Sequence, residues 1–526
     1  MAKRNRNKTK SKKKMVSRTK SSSSSFKPKS SLLANVQRIS LSVLCLLLAI
    51  AVTMITSSTN SILVEGKTLF GMFGNGENRR ATEHDGLIDD IPTTTLRNKN
   101  TKFPLVGVGV GNLQPDLVET TIVSALQSDH RIRLIDTARA SNNEKSVASG
   151  IVKGVHNFLE VKNKDKKKGD IVNEVQVHVV TKIWYTHLGY ERTKVSVQES
   201  LDALEDAILD ESIDLNVHVL IHWPRCYDGI PWMNCEQEEN ALPDDIKRIG
   251  PPPHLDKENA WKESWRALEE MYSNHKDYPM ISSIGVSNFS GDDLQELLYI
   301  AKIKPMILQM NVWSLLNDPN LVNLCNKHNI HMQVYNVMNG IVNRGSVTPH
   351  AAHHLALVAN EITKKDILSA SMDQGEEVDQ TPVTPGQVVL KWLTQMGISV
   401  IPRTTNKQRL IENSAISLGR IPPLSEENLE ITAHAMEALL SGNDLEEDVH
   451  VKVTFHANST DMFLYWFNPE GNVEKQISYI AKGESFEEST HPQHLFRIYN
   501  AYDPDVYKDY TVTGLYGDHD HVHIEL

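Results

Sequence analysis

The chain has 526 residues, with 55 Lys and Arg against 66 Asp and Glu, a formal net charge of −11 at pH 7. Residues 1–40 hold 13 of the basic residues and no acid, which leaves 42 basic against 66 acidic residues, or −24, for the rest. A body this acidic repels polyanions and excludes nucleic acid as its main partner, and its length predicts two or three domains.

Residues 1–38 read as a basic, Ser-rich disordered tail. Residues 39–55, ISLSVLCLLLAIAVTMI, carry no charge and have the length of a signal or tilted anchor helix. The basic block lies on their N-terminal side alone. The positive-inside tendency therefore predicts a single-pass type II membrane protein with a cytosolic N-terminus and a lumenal or extracellular body. A cleaved signal or an organelle leader is the alternative. Residues 56–100 read as a polar linker.

From residue 103, short apolar runs at 103–108, 133–136, 175–182, 217–222, 281–286, 306–310, 330–335 and 398–402 alternate with amphipathic stretches. Eight strand–helix alternations predict a closed parallel (β/α)8 TIM barrel over 101–442, with long loops at 225–259 and 339–384. The second loop carries a predicted helix at 350–365. In 293–303, Leu294, Leu297, Leu298, Ile300 and Ala301 mark the predicted buried face. A last helix at 425–440 opens on Ser and Glu in the manner of a capping box. Residues 447–526 alternate Val, Phe, Tyr and Ile between PEG, KGES and YDPD turns, and predict a small all-β sandwich. Cys226 and Cys235 flank a loop and can pair in an oxidising compartment, Cys325 reads as a core thiol, and Asn458-Ser459-Thr460 is a glycosylation sequon. His350, His353 and His354 read as the polar face of a loop helix. His519, His521 and His523 share one strand face by period two and read as solvated or cross-strand side chains rather than a metal site.

Chemistry in such a barrel sits at the C-terminal strand ends. Asp136, Lys182, His222, Ser287-Asn288, Gln309, Tyr335 and Arg403 each end an apolar run. Seven polar ends in register point to one mouth. The motifs there are DTARASNNE, VVTKIWYTHLGYERT, LIHWP, IGVSNFS, Gln309–Asn311 and IPRTTNKQRLIEN. With them, residues 102–440 resemble the aldo-keto reductases, NADP-dependent oxidoreductases.

The resemblance implies hydride transfer from NADPH to a small aldehyde or ketone. It implies that Ser287, Asn288 and Gln309 bind the nicotinamide carboxamide and that Tyr335 stacks on the ring. Arg403, Thr404 and Arg409 would grip the 2′-phosphate, as guanidinium forks suit phosphate oxygens, with Asn413 on the adenine. Trp184 and Tyr185 would line the substrate pocket. The family's catalytic set is Asp, Tyr, Lys and His, in which Lys lowers the Tyr pKa so that the phenol protonates the developing alkoxide. Asp136, Lys182 and His222 match; the Tyr position holds Ser141, far too weak an acid to replace a phenol. Loss of a positioned acid typically costs ~10²–10⁴ in rate. Three readings follow: a silent NADP-binding scaffold or sensor; another donor, either a protonated His222 or Tyr185; or a Lys–Asp pair that serves, with a water, some other hydride chemistry. Gly111 stands where the family has Trp, which opens the pocket or leaves it to be filled by a loop. Asn336-Val337 replaces the Ser-Pro that follows the stacking Tyr.

The stretch FHANSTDMFLYWFNPEG, with Gly483 and His494-Leu495-Phe496, resembles the β domain of the von Hippel–Lindau tumour suppressor over about 449–524. The resemblance implies a pocket for a hydroxyproline-containing peptide at Trp466, Thr490, His494 and Phe496. Thr490 stands for a Ser there and Phe496 for a Trp. Read as residues alone, Trp466 and Phe496 are core.

Overall fold

The computed structural model describes residues 87–88, 91–127, 130–164, 166, 171–227, 229–338, 348–372, 382–445, 451–468, 473–490, 494–512 and 519–524. The predicted tail and the 39–55 span lie outside these residues. Among the described residues no helix is long and apolar enough to cross a membrane.

Eight parallel strands form one sheet: β4 (Val108–Gly109), β5 (Leu134–Asp136), β6 (Val175–Ile183), β7 (Ile213–Ile221), β8 (Ile281–Ser287), β9 (Ile307–Asn311), β10 (His331–Tyr335) and β11 (Ser399–Val400), hydrogen-bonded in chain order. The ring closes where Val106 bridges Val400 in parallel, with Gly107 N donating to Val400 O (2.9 Å) and Val400 N to Leu105 O (2.9 Å). A Cβ on Gly107 would sit 2.7 Å from Leu134 Cγ, so the closing strand passes its neighbour only as glycine. The β6 sequence VQVHVVTKI is rich in β-branched residues and buried on nearly every position, as a parallel strand covered on both faces requires.

Helix starts follow side-chain chemistry. Ser290 and Asp293 form a reciprocal capping box on helix Gly291–Ile300, and Thr384 and Gln387 form one on helix Pro385–Gln395. On the first of these helices, Leu294 and Leu297 are buried but Ile300 is 41% exposed, so the buried face is narrower than predicted. The last helix, Glu426–Ser441, is capped by Ser425 accepting from Asn428 N. The residue at that position is Asn, not the Glu of the expected box. Helix Pro349–Met372 is longer than predicted and packs on the last helix. That packing buries His353, against the polar-face reading, while His350 Nδ1 pairs with Asp444 Oδ2 at 2.7 Å.

The described residues just before the barrel are also folded. Strands β1 (Leu87–Ile88), β2 (Ile91–Thr95) and β3 (Lys102–Pro104) form an antiparallel sheet. Ile91 and Leu96 are buried in the barrel's core cluster, so 91–100 is not linker. The predicted first barrel strand is split in consequence: Phe103 belongs to β3, and Pro104, which lacks an N–H, ends it. Phe103 lies edge-on to His178, His218 and His331, with centroids 6.1, 4.9 and 5.3 Å away. His178 Nδ1 meets His218 Nε2 at 3.0 Å, and His218 Nδ1 meets Ser283 Oγ at 2.7 Å. These rings fill the N-terminal floor of the barrel, opposite the mouth.

Residues 451–524 carry seven strands: β12 (Val451–Ala457), β13 (Met462–Asn468), β14 (Val473–Ile480), β15 (Ser485–Thr490), β16 (Leu495–Asn500), β17 (Tyr507–Thr511) and β18 (His519–Ile524). They form two sheets, β15-β12-β18 and β14-β13-β16-β17. Both contribute to one small core of Val453, Phe455, Leu464, Phe496 and Ile498, in line with the all-β domain predicted from residue 447.

The floor histidines make stability depend on pH. Burial lowers His178 to about 3. Burial, then the neighbouring His178 and His331, holds His218 well below the usual imidazole range. Unfolded, both protonate near ~6.5. Below that pH the unfolded chain binds more protons, and stability falls by up to about 1.4 kcal/mol per pH unit for each histidine. Urea midpoints are therefore expected to drop steadily from neutral pH to about pH 5; a flat profile contradicts the assignment.

Candidate functional site

Asp136 ends β5 and Lys182 lies next to last on β6, which brings both side chains to the mouth. Lys182 Nζ donates to Asp136 Oδ2 (2.7 Å) and to Thr137 O (2.6 Å). Both residues are buried. Asp136 Oδ2 also accepts from Gln309 Nε2 at 2.7 Å. The ammonium therefore keeps one N–H without a protein acceptor among the described residues. Thr137 Oγ1 donates to Asn143 Oδ1 (2.6 Å), and Asn143 Nδ2 donates to Val110 O (2.9 Å), so the turn after β5 is fixed to β4.

Ser141 closes the 3-10 turn Arg139–Ser141, and Asn142 beyond it has φ of 48°. Ser141 Oγ accepts from Asn112 N at 3.2 Å, and a Cβ on Gly111 would lie 3.6 Å from it. The hydroxyl is thus bonded to the loop after β4 and not to Lys182.

His222 follows β7 and faces Trp184, centroids 5.0 Å apart. Enclosure, then the Lys182 charge, keeps its imidazole well below the usual range. It is neutral near pH 7, contrary to the reading of a protonated donor. Tyr185 is excluded by direction: its hydroxyl donates to Glu238, and burial and that carboxylate push its pKa up. It does not line the cavity that Trp184 lines.

That cavity measures about 710 Å³ and is lined by Asp136, Lys182, His222, Ser141, Tyr335 and Arg403 among others. Asn288 and Gln309 line it as well; Ser287 is fully buried behind them. Asn288, at φ 58°, donates through Nδ2 to His222 O (3.0 Å) and Ser287 Oγ (3.1 Å), and accepts from Tyr335 Oη (2.8 Å). Burial and the Asp136 charge, against the Asn288 hydrogen bond, push the Tyr335 phenol up to about 12. Gln309 keeps Oε1 as an unused acceptor among the described residues, the partner a carboxamide NH₂ needs. Arg403 is exposed and donates from Nη1 to Gly111 O (3.2 Å), Arg409 is exposed on helix Lys407–Glu412, Thr404 accepts from Asn406 N (3.1 Å), and Asn413 is buried. The Arg403 guanidinium, bonded through Nη1 alone, and the exposed Arg409 head suit a phosphate.

Two wall residues, Trp223 and Trp232, and Glu238, which holds the Trp184 indole, had no role from sequence. Trp223 follows His222 in LIHWP, a signal that was available. Trp232 and Glu238 sit in the 225–259 insertion, where no periodic pattern marks a direction. Cys226 and Cys235 form a disulfide, with Cα atoms 5.9 Å apart. Cys325 is a buried free thiol raised to about 12 by burial.

In the β domain, Thr490 Oγ1 meets His494 Nδ1 at 2.7 Å, and the Trp466 and His494 rings lie 5.6 Å apart. Phe496 is buried against Phe455, centroids 5.2 Å apart, and belongs to the core of the domain. His519, His521 and His523 fall on β18, and their side chains lie outside the described residues. Among the described residues no group of three or more His, Cys, Asp or Glu side chains could hold a metal ion.

Asp136→Asn would leave the Lys182 ammonium without a counter-charge. It is expected to lose about 3–5 kcal/mol in urea unfolding. Adding Lys182→Met should restore part of that loss. Equal stability of single and double variants would show that the pair is not coupled.

The sequence profile of the aldo/keto reductase family matches residues 106–435. The chain is similar to the NAD(P)H-dependent D-xylose reductase of Kluyveromyces lactis, 29% identical over 330 residues, covering 62% of this chain and 88% of that one. It is similar also to the NADPH-dependent aldose reductase GRE3 of Saccharomyces cerevisiae, 29% identical over 328 residues, with 61% and 86% covered. A third relative is the 9,11-endoperoxide prostaglandin H2 reductase of Trypanosoma cruzi, 29% identical over 319 residues, with 61% and 83% covered.

Proposed function

Because this chain belongs to the aldo/keto reductase family, we propose that its barrel binds NADP(H) and reduces the carbonyl of a small aldehyde or ketone. The observation that carries the reading is the buried Asp136–Lys182 pair at the base of the cavity, beside neutral His222, with one ammonium N–H unused. The unused Gln309 Oε1 and the exposed Arg403 and Arg409 heads fit the two ends of the cofactor. Tyr335 is the ring available for stacking. Asn288 would exchange one of its present bonds on binding, and Ser287 would act behind it. NADPH, when bound, supplies a hydride to the carbonyl carbon.

The proton comes from the chain. Ser141 is bonded to Asn112, Tyr185 to Glu238, and His222 is neutral. Lys182 Nζ is the remaining acid at the mouth. Its N–H polarises the carbonyl oxygen, and His222 contributes as a neutral imidazole. As the oxygen gains charge, the proton passes from Nζ to it and completes the alcohol. Lys182 then recovers a proton from water.

A second reading is favoured by Ser141 itself: NADP(H) binding without turnover, in a scaffold or sensor whose β domain contacts a partner such as a hydroxyproline-containing peptide. The Cys226–Cys235 disulfide supports placing the barrel in an oxidising, lumenal or extracellular compartment, behind a membrane anchor at 39–55.

Fluorescence titration with NADPH tests binding, and carbonyl-dependent NADPH oxidation tests turnover. Lys182→Met is expected to cut turnover by at least ~10² while leaving NADPH affinity unchanged. Ser141→Tyr should raise it by ~10² or more. NADPH binding with no wild-type turnover, and turnover in Ser141→Tyr, would establish the second reading. No NADPH binding at all removes both.

A further inference from the structure

The insertion after β7 is pinned from several sides. Arg192 makes a buried bidentate pair with Glu239, 2.9 Å to each oxygen, and also donates to Gly250 O at 2.9 Å. The adjacent Glu238 accepts from Trp184 Nε1 at 2.7 Å and from the Tyr185 hydroxyl. Arg225 Nη2 donates to Asp293 Oδ1 at 2.7 Å. The Cys226–Cys235 disulfide closes the segment between these anchors. Trp232 lies inside that closed segment and lines the cavity. Its ring stacks near Trp184 (6.3 Å, interplanar 26°) and meets Trp223 edge-on (5.7 Å), while 53% of the residue stays exposed.

An exposed tryptophan held at fixed angles to two others has an open ring face. Trp184 has also lost its polar function to the cavity, because Glu238 takes its N–H. The Trp184 wall therefore offers a ring surface and no donor for a substrate hydroxyl. A polyol entering it would strip water from hydroxyls that Trp184 cannot satisfy. A flat apolar body would instead gain stacking area.

We propose that Trp232, positioned by the Cys226–Cys235 disulfide, is the specificity-determining residue of the cavity and selects carbonyl compounds with a planar aromatic or conjugated body over polyols. This rests on the proposed reductase reading for turnover, but not for binding.

The binding probe is 2-naphthamide, which is flat and resists hydride reduction, added to the full chain with NADPH present and read by tryptophan fluorescence. Trp232→Ala is expected to weaken its binding by about three- to tenfold, the range of one aromatic pair. Trp232→Phe should recover most of that. The Cys226→Ser/Cys235→Ser double variant should lose as much as Trp232→Ala. Turnover is compared between 2-naphthaldehyde and glyceraldehyde, and their kcat/KM ratio should fall by the same factor in Trp232→Ala. Equal 2-naphthamide affinity in wild type and Trp232→Ala overturns the proposal, as does an unchanged ratio. If the double cysteine variant binds like wild type, the disulfide has no part in positioning. Probe binding without turnover of either aldehyde sinks the reductase reading and leaves this one standing. Failure to bind NADPH is read separately and concerns the cofactor alone.

Discussion

The mouth of the barrel depends on one buried ion pair. Lys182 and Asp136 are taken out of water together, an expense tolerated only because each finds further polar partners. Thr137 O takes a second ammonium N–H, and Gln309 Nε2 shares the carboxylate. Through Gln309 the pair reaches Gln333 on β10, and through Thr137 it reaches Asn143 and the β4 strand. Four strands, β5, β6, β9 and β10, and the residue following β4 are thereby held in one polar network at the end where the sheet opens. A single-residue change at its centre is felt across the opening.

The same network explains why the serine at 141 is not a defect in packing. Its hydroxyl closes the turn after β5 onto the Asn112 amide, with Gly111 leaving room. Small residues face each other where a bulky pair would otherwise meet. The outcome is a serine oxygen bonded to the Asn112 turn rather than to Lys182.

Much of this was legible in the sequence for a physical reason. Parallel strands buried on both faces read as continuous apolar runs, and a polar residue after such a run has nowhere to sit but the mouth. Asp136, Lys182, His222, Asn288, Gln309 and Tyr335 were found by that rule alone. Phe103 was misplaced because an antiparallel cap and a parallel strand share the same apolar texture, and only Pro104 marks the break. Tyr185 was assigned to the pocket because sequence gives adjacency to Trp184 but not direction; Glu238, far along the chain, decides where its hydroxyl goes. His353 looked polar because its type is polar, and a long-range helix contact buried it. Trp232 carries no periodic signal at all, since a loop held by a disulfide and two carboxylates takes its shape from its anchors.

Glu238 and Glu239 are neighbours on one short helix, Cys235–Ala241, and their side chains leave it toward different partners. A flap can swing only if its fastenings release one at a time. Here aromatic donors hold one carboxylate and a buried guanidinium holds the next. Swinging the segment aside would strand Arg192 in the interior. The rim is thus fastened at two adjacent carboxylates by partners of different chemistry.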